Sequence, residues 1–299
     1  MKILRSFVTV ASIVSLASIA QAQALPDSSA SSTFSTSTLS QQPVQWYSLF
    51  EMIPHSMMNW WDVVVSKERV NDWLLVGGLT AVTFATDDAT YTPAEKFYHS
   101  SDAAKRWSDN CAEIGDGRTQ FALAGGFAAY GLLGNDQKAL RTGFQITSAV
   151  LASGAVVQIL KHATGRESPF VRTTPTGVWK ILPNQVDYHQ QVPHFDAYPS
   201  GHICTTIATV VVIAENYPDV KWIRPVGYAF TSIVGLGMLS NGIHWVSDYP
   251  LGLFIGYYFG MVTAHPEGFS LSQNGSPLQI HVLPSITLNG TAMNFIVQF

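Results

Sequence analysis

Charge is scarce in this chain of 299 residues: Asp, Glu, Lys and Arg make up 12%, and their sum is −4. No basic cluster stands out, which argues against a nucleic-acid partner. Cysteine is scarcer still, with only Cys111 and Cys204, and the pair lacks metal-ligand spacing. The nine histidines form no H-E-x-x-H or comparable cluster, so no metal is expected. Internal repeats are absent, and nothing marks a second domain. Long hydrophobic runs are missing too. Most apolar runs hold about 12 to 15 residues, whereas a helix needs roughly 20 to cross a bilayer.

What is present begins with an export signal. Lys2 and Arg5 precede an apolar stretch from Phe7 to Ile19, and Ala20-Gln21-Ala22 or Ala22-Gln23-Ala24 offers a small-x-small cleavage site. Residues 1–24 therefore read as a signal peptide and the periplasm as the destination, with an integral inner-membrane protein as the alternative. Residues 25–45 form a Ser/Thr-rich linker with few apolar side chains. Residues 46–66 are crowded with aromatics and read as an amphipathic helix, either packed on the main domain or in contact with a membrane surface.

From residue 67 to 266 the chain is a series of apolar runs separated by polar, Gly- and Pro-bearing loops. Helices are expected at Trp73–Ala85, Phe121–Leu133, Gly143–Leu160, Ile203–Ala214, Pro225–Leu239 and Pro250–Ala264. One all-α bundle of about six core helices accounts for this length. If the helices spanned a membrane after a cleaved signal, three crossings would put the end carrying Lys161 and His202 in the cytoplasm, whereas the loop charges prefer the opposite sense. An exported globular bundle fits best. Residues 267–299 change character: two strand-like segments flank Asn289-Gly290, a hairpin signal, so a short C-terminal β-hairpin-like tail is expected.

The chemistry gathers around Tyr198-Pro199-Ser200-Gly201-His202, immediately before an apolar run. Ser200 is a favoured N-cap, and a helix starting there would point unpaired N–H groups outward as an anion site. Gly201 keeps that approach clear, and His202 brings a titratable imidazole to its rim. Lys161 ends the run upstream and is followed by Gly165-Arg166-Glu167-Ser168-Pro169. Downstream, Asp248 follows His244 by four residues. On a helix those two would share a face, and the carboxylate could fix the imidazole tautomer.

These three segments resemble the signature motifs of the type 2 phosphatidic acid phosphatase and vanadium haloperoxidase superfamily, K-x6-R-P, P-S-G-H and S-R-x5-H-x3-D, over roughly residues 67 to 266. The chain departs twice. The first motif's arginine falls on Ser168, and the Ser-Arg of the third falls on Gly237-Met238. The resemblance implies a helical bundle with its site at one end and a metal-independent phosphatase acting on a phosphate, pyrophosphate or lipid-phosphate ester. His244 would be the nucleophile, Asp248 its orienting carboxylate and His202 the acid–base. Lys161, Arg166, Ser200 and Gly201 would hold the phosphoryl group, Arg166 or Arg172 making up for the lost charge. Two other readings stay open. One is a vanadate-dependent haloperoxidase, the sole reading with a cofactor. The other is a non-catalytic protein that binds phosphate or a lipid headgroup. Cys111 and Cys204 would both lie near the site, so a disulfide and a simply buried Cys204 are both open.

Overall fold

The computed structural model describes residues 44–45, 47–266, 279–287 and 290–298. The expected signal peptide, nearly all of the linker, Trp46 and Asn289 lie outside the described residues. Ten α-helices are present among the described residues. They are α1 (Ser48–Val64), α2 (Val70–Ala85), α3 (Asp87–Tyr98), α4 (Asp102–Gly115), α5 (Gly117–Gly134), α6 (Gln137–Thr164), α7 (Gln185–Gln190), α8 (Gly201–Asn216), α9 (Ile223–Ser240) and α10 (Tyr249–Ala264). The fold is all-α. The tail forms strands β1 (Gln279–Thr287) and β2 (Gly290–Gln298), paired antiparallel with Thr287 opposite Gly290. Gly290 thus opens a strand rather than sitting in the turn.

All six expected core helices are present, each extended by its caps. Asp136 accepts from the amides of Lys138 and Ala139 at the start of α6, and Gly165 closes that helix in the left-handed region at φ 53°. Three helices were not expected, the six-residue α7 in the loop after α6 among them. The stretch 86–120 holds α3, a polar sequence starting at Asp87, and α4, whose small residues Ala104, Ser108, Cys111, Ala112 and Gly115 form one buried stripe. Neither contains an apolar run, so both read as loop in the sequence. α6 is longer than its apolar run, at 28 residues, and is the one described helix long and apolar enough to cross a bilayer; half of its most apolar stretch is buried in the protein.

The core is centred on α8 and α10, which lie almost in backbone contact. A Cβ on Gly252 would stand 2.6 Å from the Ser200 carbonyl oxygen, and one on Gly256 would collide with the Cys204 carbonyl. Such an approach needs residues without side chains. α1 packs on the outside of this pair: Trp60 stacks on Phe259 at 4.7 Å, and Ser56 bonds both Ser148 and Thr263. Its other face leaves Phe50, Met58 and Trp61 exposed.

Both cysteines are free thiols in the interior. Cys111 lies on α4 against Gly237 of α9, while Cys204 lies on α8 against α10, so the disulfide reading is corrected. Burial pushes the Cys204 thiol up to about 12, which keeps it protonated and inert.

Overfilling the α8–α10 contact gives a direct test. Gly256→Ala should destabilise the fold by about 1–3 kcal/mol, the usual cost of overpacking, whereas Gly126→Ala on α5, where a Cβ meets nothing within 4 Å, should be neutral or better. Urea unfolding of the two variants decides.

Candidate active site

The sequence around Ser200 folds as its capping chemistry requires. Ser200 is the N-cap of α8, its Oγ accepting from the Ile203 amide at 3.4 Å, and Gly201 opens the helix. A Cβ on Gly201 would meet only Val157, at 3.6 Å, so no protein contact demands glycine there. His202 therefore sits in the first turn, facing His244 with ring centroids 6.0 Å apart. Lys161 reaches the same end from the last turn of α6 and is buried.

His244 and Asp248 come together differently from the helical pairing expected. His244 lies in the loop after α9, and Val246–Asp248 is a single 3₁₀ turn. Asp248 folds back to accept from the Trp245 amide at 2.8 Å, which holds the turn closed. The Nδ1 of His244 faces two acceptors, the Ala197 carbonyl at 2.6 Å and Asp248 Oδ2 at 3.4 Å. A carbonyl can only accept, so Nδ1 carries the proton and Nε2 is the bare nitrogen. That Nε2 is buried and has no partner in the protein. Burial, with Lys161 next in weight, pushes His244 down to about 3. Burial and then the His244 imidazole do the same to His202. Both rings are neutral near pH 7.

Arg166 is where the structure overturns the sequence reading. It does not line the phosphoryl pocket as a clamp, because its side chain is fully buried. Nη2 donates to Asp87 at 2.6 Å and to the Thr176 carbonyl at 3.0 Å; Nη1 donates to Asp248 at 2.5 Å and to Ser247 Oγ at 2.6 Å. Phe84, Trp179 and Trp245 surround the guanidinium at 4.8–5.2 Å. Burial pushes both Asp87 and Asp248 up to about 6 despite this cation. Arg172 does not replace it. Its guanidinium lies over the Tyr91 ring at 4.4 Å and pairs with Glu95 at 3.3 Å.

The two family arginine positions are closed as well. Ser168 is buried with its amide on the Pro193 carbonyl at 2.8 Å. Met238 is fully buried, and a Cβ on neighbouring Gly237 would stand 2.9 Å from the Ser108 carbonyl oxygen of α4.

Three further groups belong to the site and were missed in the sequence. Asp196 pairs with Lys161 at 3.0 Å, the Ala197 carbonyl fixes His244, and Asp116, N-cap of α5, stands 3.8 Å from His202 Nε2. Asp196 is the one carboxylate between Asp187 and the Ser200 cap, a signal that was available. A backbone carbonyl leaves none.

A helix N-terminus, a buried lysine and two neutral histidines thus lie together at one end of an α-bundle. Residues 142–267 match the model of the PAP2 superfamily. The chain is also 28% identical over 154 residues to the lipid A 1-phosphatase of Rhizobium etli, covering 50% of this chain and 62% of that protein's length. No solved structure matches.

The two assignments of Arg166 separate cleanly in a stability measurement. Arg166→Met should cost about 3–5 kcal/mol, the penalty of leaving buried charge unpaired, and Asp87→Asn in the same chain should recover part of it. A clamp would instead affect turnover alone, leaving the denaturation midpoint in place.

Proposed function

We propose that this chain hydrolyses a phosphate or pyrophosphate ester, lipid phosphates included, through a phosphohistidine intermediate and without a metal. The observation that carries the proposal is the bare, buried Nε2 of His244, with its tautomer set from the other side of the ring. A neutral imidazole in that state holds a lone pair ready for in-line attack on phosphorus. The R. etli relative, a lipid A 1-phosphatase by name, supports the choice of a phosphate ester. Among the described residues no group of three or more His, Cys, Asp or Glu could hold a metal ion.

In the first step the N–P bond forms at His244 Nε2 and the P–O bond breaks, its electron pair leaving on the alcohol oxygen. His202 supplies the proton that oxygen needs. It is neutral in the free protein, so its extra proton arrives with the substrate or from solvent as the phosphoryl group binds. In the second step water attacks phosphorus, His202 takes the water's proton, and phosphate leaves with His244 restored. In this reading the Ser200 hydroxyl, the Gly201 amide and Lys161 hold the phosphoryl oxygens, as such transfers require. The basic, apolar and small-residue pattern of residues 1–24 supports a periplasmic location.

His244→Ala should lower kcat for p-nitrophenyl phosphate by about 10⁴ or more, the scale of losing a nucleophile. His202→Ala should still accumulate acid-labile phosphate on His244 from the same ester, whose leaving group needs no proton. Unimpaired turnover in His244→Ala would refute the mechanism. The pH profile offers a second check. With His244 held near 3, its neutral form dominates at every pH above that value. The log of kcat/KM should therefore show no acid limb near 6.5, where an ordinary histidine titrates. A slope of one across pH 5.5–6.5, after correction for substrate ionisation, would show an exposed, ordinary imidazole instead.

A further inference from the structure

The cations expected to face a phosphoryl group are not free to do so. Arg166 is held between Asp87 and Asp248, position 168 is a buried serine, and position 238 is a methionine in the core. Lys161 remains, and it carries a carboxylate of its own, with Nζ 3.0 Å from Asp196 Oδ2. That carboxylate is fixed by its backbone. Residue 196 bridges Arg166, and the next amide, Ala197 N–H, donates to the Arg166 carbonyl at 2.9 Å. The Asp196 side chain is about one-quarter exposed, so it borders the open end of the site rather than the core.

Other titratable groups meet Asp196 there from several elements. Lys161 comes from α6, Tyr188 from α7, His202 from the start of α8 with Asp116 behind it, and His244 from the loop after α9. The Asp196 charge acts on both imidazoles, opposing the loss of their protons. With neutral histidines, the Lys161–Asp196 pair leaves no net positive charge to receive an anion.

We propose that Asp196 is a charge-selecting residue, and that through its pair with Lys161 the site accepts a phosphoryl group carrying one negative charge in preference to two. The substrate class is then a phosphate ester in its monoanionic, protonated form, or one whose phosphoryl group is permanently singly charged. This rests on the phosphate-ester reading and deepens it. A dianion brought beside Asp196 meets like-charge repulsion, which the low-dielectric surroundings strengthen. A monoanion meets half as much and brings the proton that His202 must hand to the leaving group. Phosphate monoesters pass from one form to the other near pH 6.

Binding of inorganic phosphate to the full chain, measured calorimetrically at pH 5 and pH 8, tests this. In the wild type the affinity should fall at least tenfold between the two. In Asp196→Asn, which keeps the shape and an acceptor for Lys161, the fall should shrink to less than threefold, mainly because affinity at pH 8 rises. Asp196→Glu should behave as the wild type, and thermal melts of both variants confirm that they are folded. If Asp196→Asn is unfolded, the same comparison between wild type and Asp196→Ser decides. Equal pH dependence in wild type and the charge-free variant overturns the assignment of Asp196 while leaving the phosphate-ester reading intact. No binding by any variant at either pH, together with no hydrolysis of p-nitrophenyl phosphate, overturns that reading and the charge selection with it.

Discussion

One buried guanidinium, that of Arg166, holds together the parts of this molecule that carry chemistry. Its four donor contacts join Asp87 at the start of α3, the Thr176 carbonyl of the long loop, and Ser247 and Asp248 of the turn before α10. Ser247 closes the set by donating from its own hydroxyl to Asp87. Removing two carboxylates and a guanidinium from water is expensive, and such clusters add little net stability over apolar packing. What this one provides is registration. Two carboxylates converge on a single cation, and only one arrangement of three chain segments satisfies all of them.

Registration then passes to His244 and Lys161. Arg166 and Trp245 N–H hold the Asp248 carboxylate, and the Arg166 backbone pairs with the 195–197 segment. Within that segment Asp196 faces Lys161 and the Ala197 carbonyl faces His244. Two consecutive residues thus set the tautomer of His244 and the charge beside Lys161. Asp248 plays a smaller part in orienting His244 than its spacing suggests, since at 3.4 Å it is the longer of two contacts and its carboxylate is shared with Arg166 and Trp245. The carbonyl carries the orientation, and it does so without the risk of being protonated.

The all-α fold was legible because six helices carry apolar runs bounded by Ser, Asp, Gly or Pro. α3 and α4 were not. α3 is polar with Pro93 inside it, and α4 buries a stripe of small residues that no hydropathy reading marks. In the site, the capped α8 terminus with His202, and the presence of Lys161, His244 and Asp248 at one end, followed from motif chemistry. The role given to Arg166 did not survive, because a basic residue near a phosphate motif looks the same whether it faces solvent or two buried acids. Its partner Asp87 lies 79 residues away, a distance that no local pattern spans. The hairpin signal near residue 290 agrees with the antiparallel pairing of β1 and β2, with Gly290 itself in β2.

The missing arginines are a matter of packing as much as of charge. At 237 and 238 the chain has Gly-Met, and Gly237 lets α9 approach α4 so closely that a Cβ would meet Cys111 and the Ser108 carbonyl. Ser240 on the same helix donates to Ser108 Oγ at 2.7 Å, extending the contact by one turn. Met238 fills the core beside this seam and is fully buried. A guanidinium in its place would need an acid partner inside the protein, and the buried carboxylates Asp87 and Asp248 are already committed to Arg166. Tight α9–α4 packing and a catalytic arginine at 238 are therefore alternatives, and this chain has taken the first. A pocket left with one lysine has less positive charge for a dianion, and a carboxylate placed against that lysine is consistent with a site adapted to less charge rather than one merely deprived of it.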